Sequence, residues 1–134
     1  MLIKFEIENA VAKIKFNRPD VLNSFNRAMS LEFQVALDNC AEDQSVRAVY
    51  ITGEGRAFCA GQDLAEAISK NGPAIQNIVR EQYNPIIQKI RNIEKPVVCA
   101  VNGIAAGAGA NIALACDIVL AGVSSSFVQA FSKI

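Results

Sequence analysis

Two glycine-bearing segments concentrate the chemistry open to this chain. The first is Arg56-Ala57-Phe58-Cys59-Ala60-Gly61-Gln62-Asp63-Leu64, which follows the apolar run at 46–52 after Gly53-Glu54-Gly55. The second is Asn102-Gly103-Ile104-Ala105-Ala106-Gly107-Ala108-Gly109-Ala110-Asn111, directly after the run at 97–101. Small residues at strand ends let main chain approach a ligand, and a helix N-terminus leaves amides free to bind anionic oxygen. Two such amides aimed at one carbonyl oxygen make an oxyanion hole. Tight turns and close helix packing account for the same glycines equally well, and both readings stand at this point.

Residue types exclude much other chemistry. The chain has no histidine, so within it Ser-His-Asp catalysis, Cys-His catalysis and imidazole metal sites are impossible, and no metal is expected. Cys40, Cys59, Cys99 and Cys116 are widely spaced without a CxxC pair, which points to a reducing, cytoplasmic setting. Gly107-Ala108-Gly109-Ala110-Asn111-Ile112 opens like a dinucleotide fingerprint, but Ile112 stands at its sixth position. No acidic residue follows about 20 residues on, and no Gly-Lys-Ser/Thr makes a phosphate loop. Among polar side chains near the glycines, Asp63 reads first as a helix cap and Glu66 as solvent-facing. Cys59 reads as a small buried hydrophobe, and Ser124-Ser125-Ser126 as a polar turn.

The elements that must position these segments follow from patterning. Residues 2–8 alternate, Asn9-Ala10 is a turn, and 11–16 alternate again: a hairpin. Apolar positions at helical spacing run over 27–41 and 73–93, with a kink or a restart capped by Asn84 expected at Pro85. Core strands are expected at 46–52, 97–101 and 117–121, with a helix at 110–116. Strands alternating with helices predict an α/β fold with parallel pairing. At 134 residues, with 51% hydrophobic and 19% charged residues, the chain is one domain or part of one, not a disordered tract. Thirteen basic and thirteen acidic side chains cancel, so nothing steers it to nucleic acid or an anionic membrane. No run is long and apolar enough for a membrane span.

Five segments in order then resemble the crotonase superfamily of enoyl-CoA hydratases and isomerases. They are Asn17-Arg18-Pro19 with Leu22-Asn23-Ser24; Val49-Tyr50-Ile51-Thr52-Gly53; Phe58-Cys59-Ala60-Gly61-Gln62-Asp63-Leu64; Lys95-Pro96-Val97 with Asn102-Gly103; and Gly107 through Asp117. The resemblance implies a ββα spiral of the ClpP/crotonase type, here incomplete. Residues 1–134 would be its N-terminal part, without the later core turns and trimerisation helices. It implies an acyl-CoA substrate, with coenzyme A part of the substrate rather than a bound cofactor, and a homo-oligomer, a trimer or dimer of trimers. The family's two oxyanion-hole amides fall on Gln62 and Ala108, flanked by Gly107 and Gly109. Ala60, Gly61, Asp63 and Leu64 resemble one wall of the CoA site and Leu22 the other, although Asp20-Val21-Leu22 replaces the basic neighbour common there. A hydratase's two glutamates correspond to Asn111 and Phe131, neither of which moves a proton at neutral pH.

The stretches at 105–110 and 127–133 most resemble the ring-epoxide isomerases of phenylacetyl-CoA breakdown (2-(1,2-epoxy-1,2-dihydrophenyl)acetyl-CoA isomerase). The implied activity is an acyl-CoA isomerase in phenylacetate or fatty-acid breakdown, its acid/base, an aspartate, lying beyond Ile134. The alternatives are an enoyl-CoA hydratase, or an inactive piece that only binds CoA or self-associates. A spiral cut at Ile134 is expected to expose the helix bearing Ile86, Ile87, Ile90 and Ile93 and the stretch 127–131.

Overall fold

Asn9 and Ala10 both take positive φ, 51° and 65°, as a two-residue type I′ turn requires. That turn folds β1 (Ile3–Glu8) back on β2 (Val11–Phe16) antiparallel, with Ile3 opposite Phe16. In the computed structural model, which describes residues 1–129, the hairpin begins a five-stranded sheet. β3 (Ala48–Gly53), β5 (Val97–Val101) and β7 (Ile118–Ala121) extend it, all parallel, in the order β1-β2-β3-β5-β7.

Each of the last three strands is followed by a three-residue strand of a second sheet. These are β4 (Ala57–Cys59), β6 (Ile104–Ala106) and β8 (Ser126–Val128), parallel and adjacent in that order. A long strand, a short strand and then a helix repeat along the chain, which is a ββα spiral. The helices are α1 (Arg27–Glu42), α2 (Leu64–Ala67), α3 (Ile75–Ile78), α4 (Asn84–Asn92) and α5 (Ala108–Ala115).

Helix α1 starts where the Asn26 side chain accepts from the Met29 amide at 2.9 Å, and it buries Met29, Phe33, Leu37 and Cys40. Phe16 lies at the centre of the core, with ring centroids 5.0, 5.1 and 5.2 Å from Phe25, Phe33 and Phe58. These four rings support the ends of β2 and β4, the loop before α1, and α1 itself. Among the described residues, no helix is long and apolar enough to cross a membrane.

Four expectations need correction. Asn84 does not cap a helix restarting at Pro85: it is itself helical, and the chain stays helical from α3 to α4 through a wide π turn at Val79–Tyr83. Proline lacks the N–H that would bond the carbonyl four residues back, and the Gln34 side chain donates to that Glu81 carbonyl instead, at 3.0 Å. Helix α4 is not left bare either, since Ile86 and Ile90 pack into the core and Ile87 and Ile93 against it. Strand β7 was expected in the core, but among the described residues it is the edge strand, with Ile118 and Leu120 half exposed. Glu66 does not simply face water: its carboxylate accepts from the Arg27 amide at 3.0 and 3.2 Å, capping α1 from outside. Of the stretch expected to be exposed at 127–131, Phe127 and Val128 are exposed and the remainder from residue 130 lies outside the described residues.

Candidate functional site

The first glycine segment turns away from β4 at Ala60 and runs beside the loop at 22–25. Ala60 N donates to Leu22 O at 3.0 Å, Phe25 N to Gly61 O at 2.7 Å, and Asp63 N to Phe25 O at 2.8 Å. Gln62 therefore sits opposite Phe25 in a parallel bridge. In such a bridge the main chain of the flanked residue points the other way, so the Gln62 N–H faces away from the 22–25 loop. Leu22 itself has φ 56°, a left-handed conformation that lets the loop reverse.

The second segment leaves β6 and enters α5 at once. Gly107 has φ 54° and ψ −121°, a conformation that a side chain would not tolerate, and it precedes the first helical residue, Ala108. Its amide donates to Val128 O at 2.8 Å and its carbonyl accepts from Asn111 N at 3.1 Å, which sets the direction of the helix start. Ala108 N, as a first-turn amide, has no intrahelical acceptor. Among the described residues, neither the Gln62 nor the Ala108 amide donates to another protein group.

Close main-chain approach brings the two segments together. A Cβ built on Gly61 would lie 2.9 Å from Ala106 O and 3.7 Å from Ala108 N, and Gly61 has φ 101°. A Cβ on Gly109 would lie 2.2 Å from Cys59 O, so α5 rests directly on the end of β4. The glycines thus serve packing, and that packing sets Gly61, the neighbour of Gln62, against Ala108.

Side chains hold the first segment from several directions. Arg18 donates to Asp63 Oδ2 at 3.1 Å and to Ser24 O at 2.6 Å, in an ion pair with both side chains 17% exposed. Asp63 also accepts from Glu66 N at 3.2 Å, capping α2 as expected. Asn23, fully buried, and Asn102 both donate to Ala57 O, at 2.9 and 3.1 Å, and so fasten the turn between β3 and β4. Tyr83, at the end of the π turn, donates its hydroxyl to Gln62 Oε1 at 2.6 Å. Burial pushes its phenol well above the usual tyrosine range, with Cys59, Glu66 and Asp63 adding to the effect, so it stays a neutral donor. Burial likewise pushes the Cys59 thiol up to about 12, which suits a packed side chain and not a nucleophile.

The other expected residues divide. Leu22, Ala60, Gly61 and Asp63 line up beside Gln62, and Gly107 and Gly109 beside Ala108. Leu64 opens α2 and is exposed. Asn111 is exposed on α5 and accepts from Gln129 Nε2 at 2.7 Å. Phe131 lies outside the described residues. Sequence reasoning missed Tyr83 and the roles of Arg18, Asn23 and Asn102. The Asn17-Arg18-Pro19 and Leu22-Asn23-Ser24 motifs were visible as motifs, but nothing in their spacing told what they grip. No spacing rule links Tyr83 to Gln62.

Residues 6–134 match the family described as enoyl-CoA hydratase/isomerase. A probable enoyl-CoA hydratase of Rhodobacter capsulatus is 46% identical over 132 residues, covering 98% of this chain and 50% of that protein. A 1,2-epoxyphenylacetyl-CoA isomerase of Escherichia coli is 45% identical over 131 residues, covering 96% and 50%. The crystal structure of a putative enoyl-CoA hydratase/isomerase from Mycobacterium abscessus superposes with a TM-score of 0.91 at 38% identity, covering 98% of this chain and 52% of that one. The chain spans about half the length of the curated relatives it matches.

Proposed function

The chain belongs to the enoyl-CoA hydratase/isomerase family of the crotonase superfamily, and we propose that it carries the oxygen-binding side of an acyl-CoA isomerase site. The thioester oxygen sits between the amides of Gln62 and Ala108. Removal of a proton beside the carbonyl makes an enolate, whose charge those donors stabilise, and the proton returns elsewhere in the acyl group. One donor of this kind is worth roughly 3–4 kcal/mol of barrier. Coenzyme A belongs to the substrate, along the walls formed by Leu22 and by Ala60, Gly61, Asp63 and Leu64.

The observation that carries this reading is the approach of Gly61 to Ala108 N at the ends of β4 and β6, with neither the Gln62 nor the Ala108 amide donating to another group among the described residues. Isomerisation is favoured over hydration because the carboxylates beside the cleft are engaged in structure: Asp63 with Arg18 and α2, Glu66 with α1. Asn111 stands where a hydratase carries an acid. The proton shuttle is then a residue outside those described, and the ring-epoxide or unsaturated acyl-CoA esters of aromatic and fatty-acid breakdown are the substrate class. The name of the Rhodobacter capsulatus relative supports an enoyl-CoA hydratase as the second reading. A cytoplasmic homo-oligomer belongs to the same proposal. The exposed Ile118, Leu120 and Phe127 support it, and sedimentation as a monomer would remove that part.

Hydrogen exchange tests the site. An acyl-CoA is expected to protect the amides of 60–64 and 107–109, and NADH to protect neither stretch. Protection by NADH alone would overturn the reading.

A further inference from the structure

We propose that Tyr83 is a positioning residue: its hydroxyl pins the Gln62 side chain so that the Gln62 amide stays open toward the cleft, and the π turn at Val79–Tyr83 exists to deliver it there. The inference rests on the reading of Gln62 and Ala108 as a shared oxygen-binding site.

The Gln62 carboxamide is held at both ends. Its Nε2 donates to Asp63 O at 3.2 Å and its Oε1 accepts from Tyr83 at 2.6 Å. A glutamine released from such bonds has three free side-chain torsions. Its own carbonyl oxygen would then compete with a ligand's for the nearby amides. Tyr83 also packs on the residue that fastens this main chain, with its ring 6.4 Å from that of Phe25. Phe25 in turn bonds the main chain on both sides of Gln62.

The helix that presents Tyr83 is irregular in a way that packing alone does not favour. The turn closes with Asn84 N bonded to Val79 O, five residues back. Gln82, wholly buried within it, has no partner among the described residues for either side-chain polar atom. Both features destabilise, since buried polar groups are ordinarily satisfied and wide turns are rare. Each residue of a regular helix advances about 100° around the axis, so an ordinary turn would point position 83 elsewhere. The wide turn is the feature that sets the phase of Tyr83 toward Gln62.

A double-mutant cycle with infrared spectroscopy tests this. The probe is butanoyl-CoA labelled with 13C at the thioester carbonyl, and the readouts are its dissociation constant and its carbonyl stretch when bound. Wild type is expected to lower the stretch. Tyr83→Phe is expected to weaken binding roughly tenfold, the scale of one lost hydrogen bond to a part-buried acceptor, and to reverse most of the stretch shift. Gln62→Leu, which keeps the main-chain amide, is expected to cost about as much. The double variant is expected to cost no more than either single one, because both remove the same bond. Additive losses would mean that Tyr83 acts by packing and would overturn the inference, as would an unchanged stretch in Tyr83→Phe. If Tyr83→Phe fails to fold, Gln62→Leu alone decides, and unchanged binding there overturns the inference. No shift in wild type would instead remove the oxyanion reading itself.

Discussion

Around Ala108 the positioning is done by main chain. Gly107 supplies a backbone conformation closed to other residues, Val128 O takes its amide, and Gly109 lets α5 lie against the carbonyl of Cys59. Around Gln62 the main-chain bonds to Leu22 and Phe25 are joined by side chains: Arg18 before α1 through Asp63, Tyr83 at the head of α4, and Asp63 with Glu66 at the start of α2. Cys59 touches both regions, since its carbonyl faces Gly109 and its Sγ accepts from Gly61 N at 3.4 Å. Both sides contain a glycine with no room for a side chain, Gly61 and Gly109. One donor, though, is built into a helix start by main chain alone, whereas the other also depends on side-chain bonds that can be removed one at a time.

The contrast can be broken most severely at Gly109. Gly109→Ala puts a methyl 2.2 Å from Cys59 O, where main chain faces it. Overpacking of that kind is expected to cost roughly 3 kcal/mol, measured by urea unfolding. A cost below about 1 kcal/mol would show that α5 can withdraw from β4, and the main-chain region would then be adjustable too.

A smaller and more local effect is expected at Arg18. Arg18→Ala leaves Asp63 without its cation and Ser24 O without its donor, at a site only partly open to water. The expected loss is about 2 kcal/mol. Hydrogen exchange is expected to quicken at 60–63 and to stay unchanged at 107–109. Equal quickening in both stretches would erase the distinction between the two regions.

The smallest effect is a pH dependence at the residue that joins them. Burial pushes the Cys59 thiol up to about 12, and the Cys40 thiol up to about 11, from an ordinary 9.0. A thiol raised in the fold ionises first in the unfolded chain. Its contribution is therefore intact below pH 9.0 and is lost as pH climbs toward the folded values of about 11 and 12. Cys59→Ala is expected to shallow the alkaline fall in stability, read from denaturant midpoints at pH 8 and above. An unchanged slope would mean that Cys59 does not titrate on unfolding in that range.

Legibility in the sequence followed the range of the interactions. The hairpin, α1 and the long strands each announce themselves in consecutive residues, because alternation and helical spacing are local signals. Strands β4, β6 and β8 have three residues apiece, too few for a period of two to show, and they are held by neighbours far along the chain. Helix α4 shows the same limit differently. Its apolar face was plain from Ile86, Ile87, Ile90 and Ile93, but whether that face met α1 or water depended on how the helices pack.

The sequence by itself determined the parallel α/β architecture, the two glycine segments, the family motifs, and the exclusion of histidine chemistry from these residues, since each is a matter of residue type and local order. Only the tertiary structure decided that Gly61 lies against Ala108, that Arg18 and Asp63 pair, that Glu66 caps α1, and that Tyr83 reaches Gln62. The reason is physical. A hydrogen bond or ion pair between elements has no period and no fixed separation, and it exists only after apolar burial has brought the elements together.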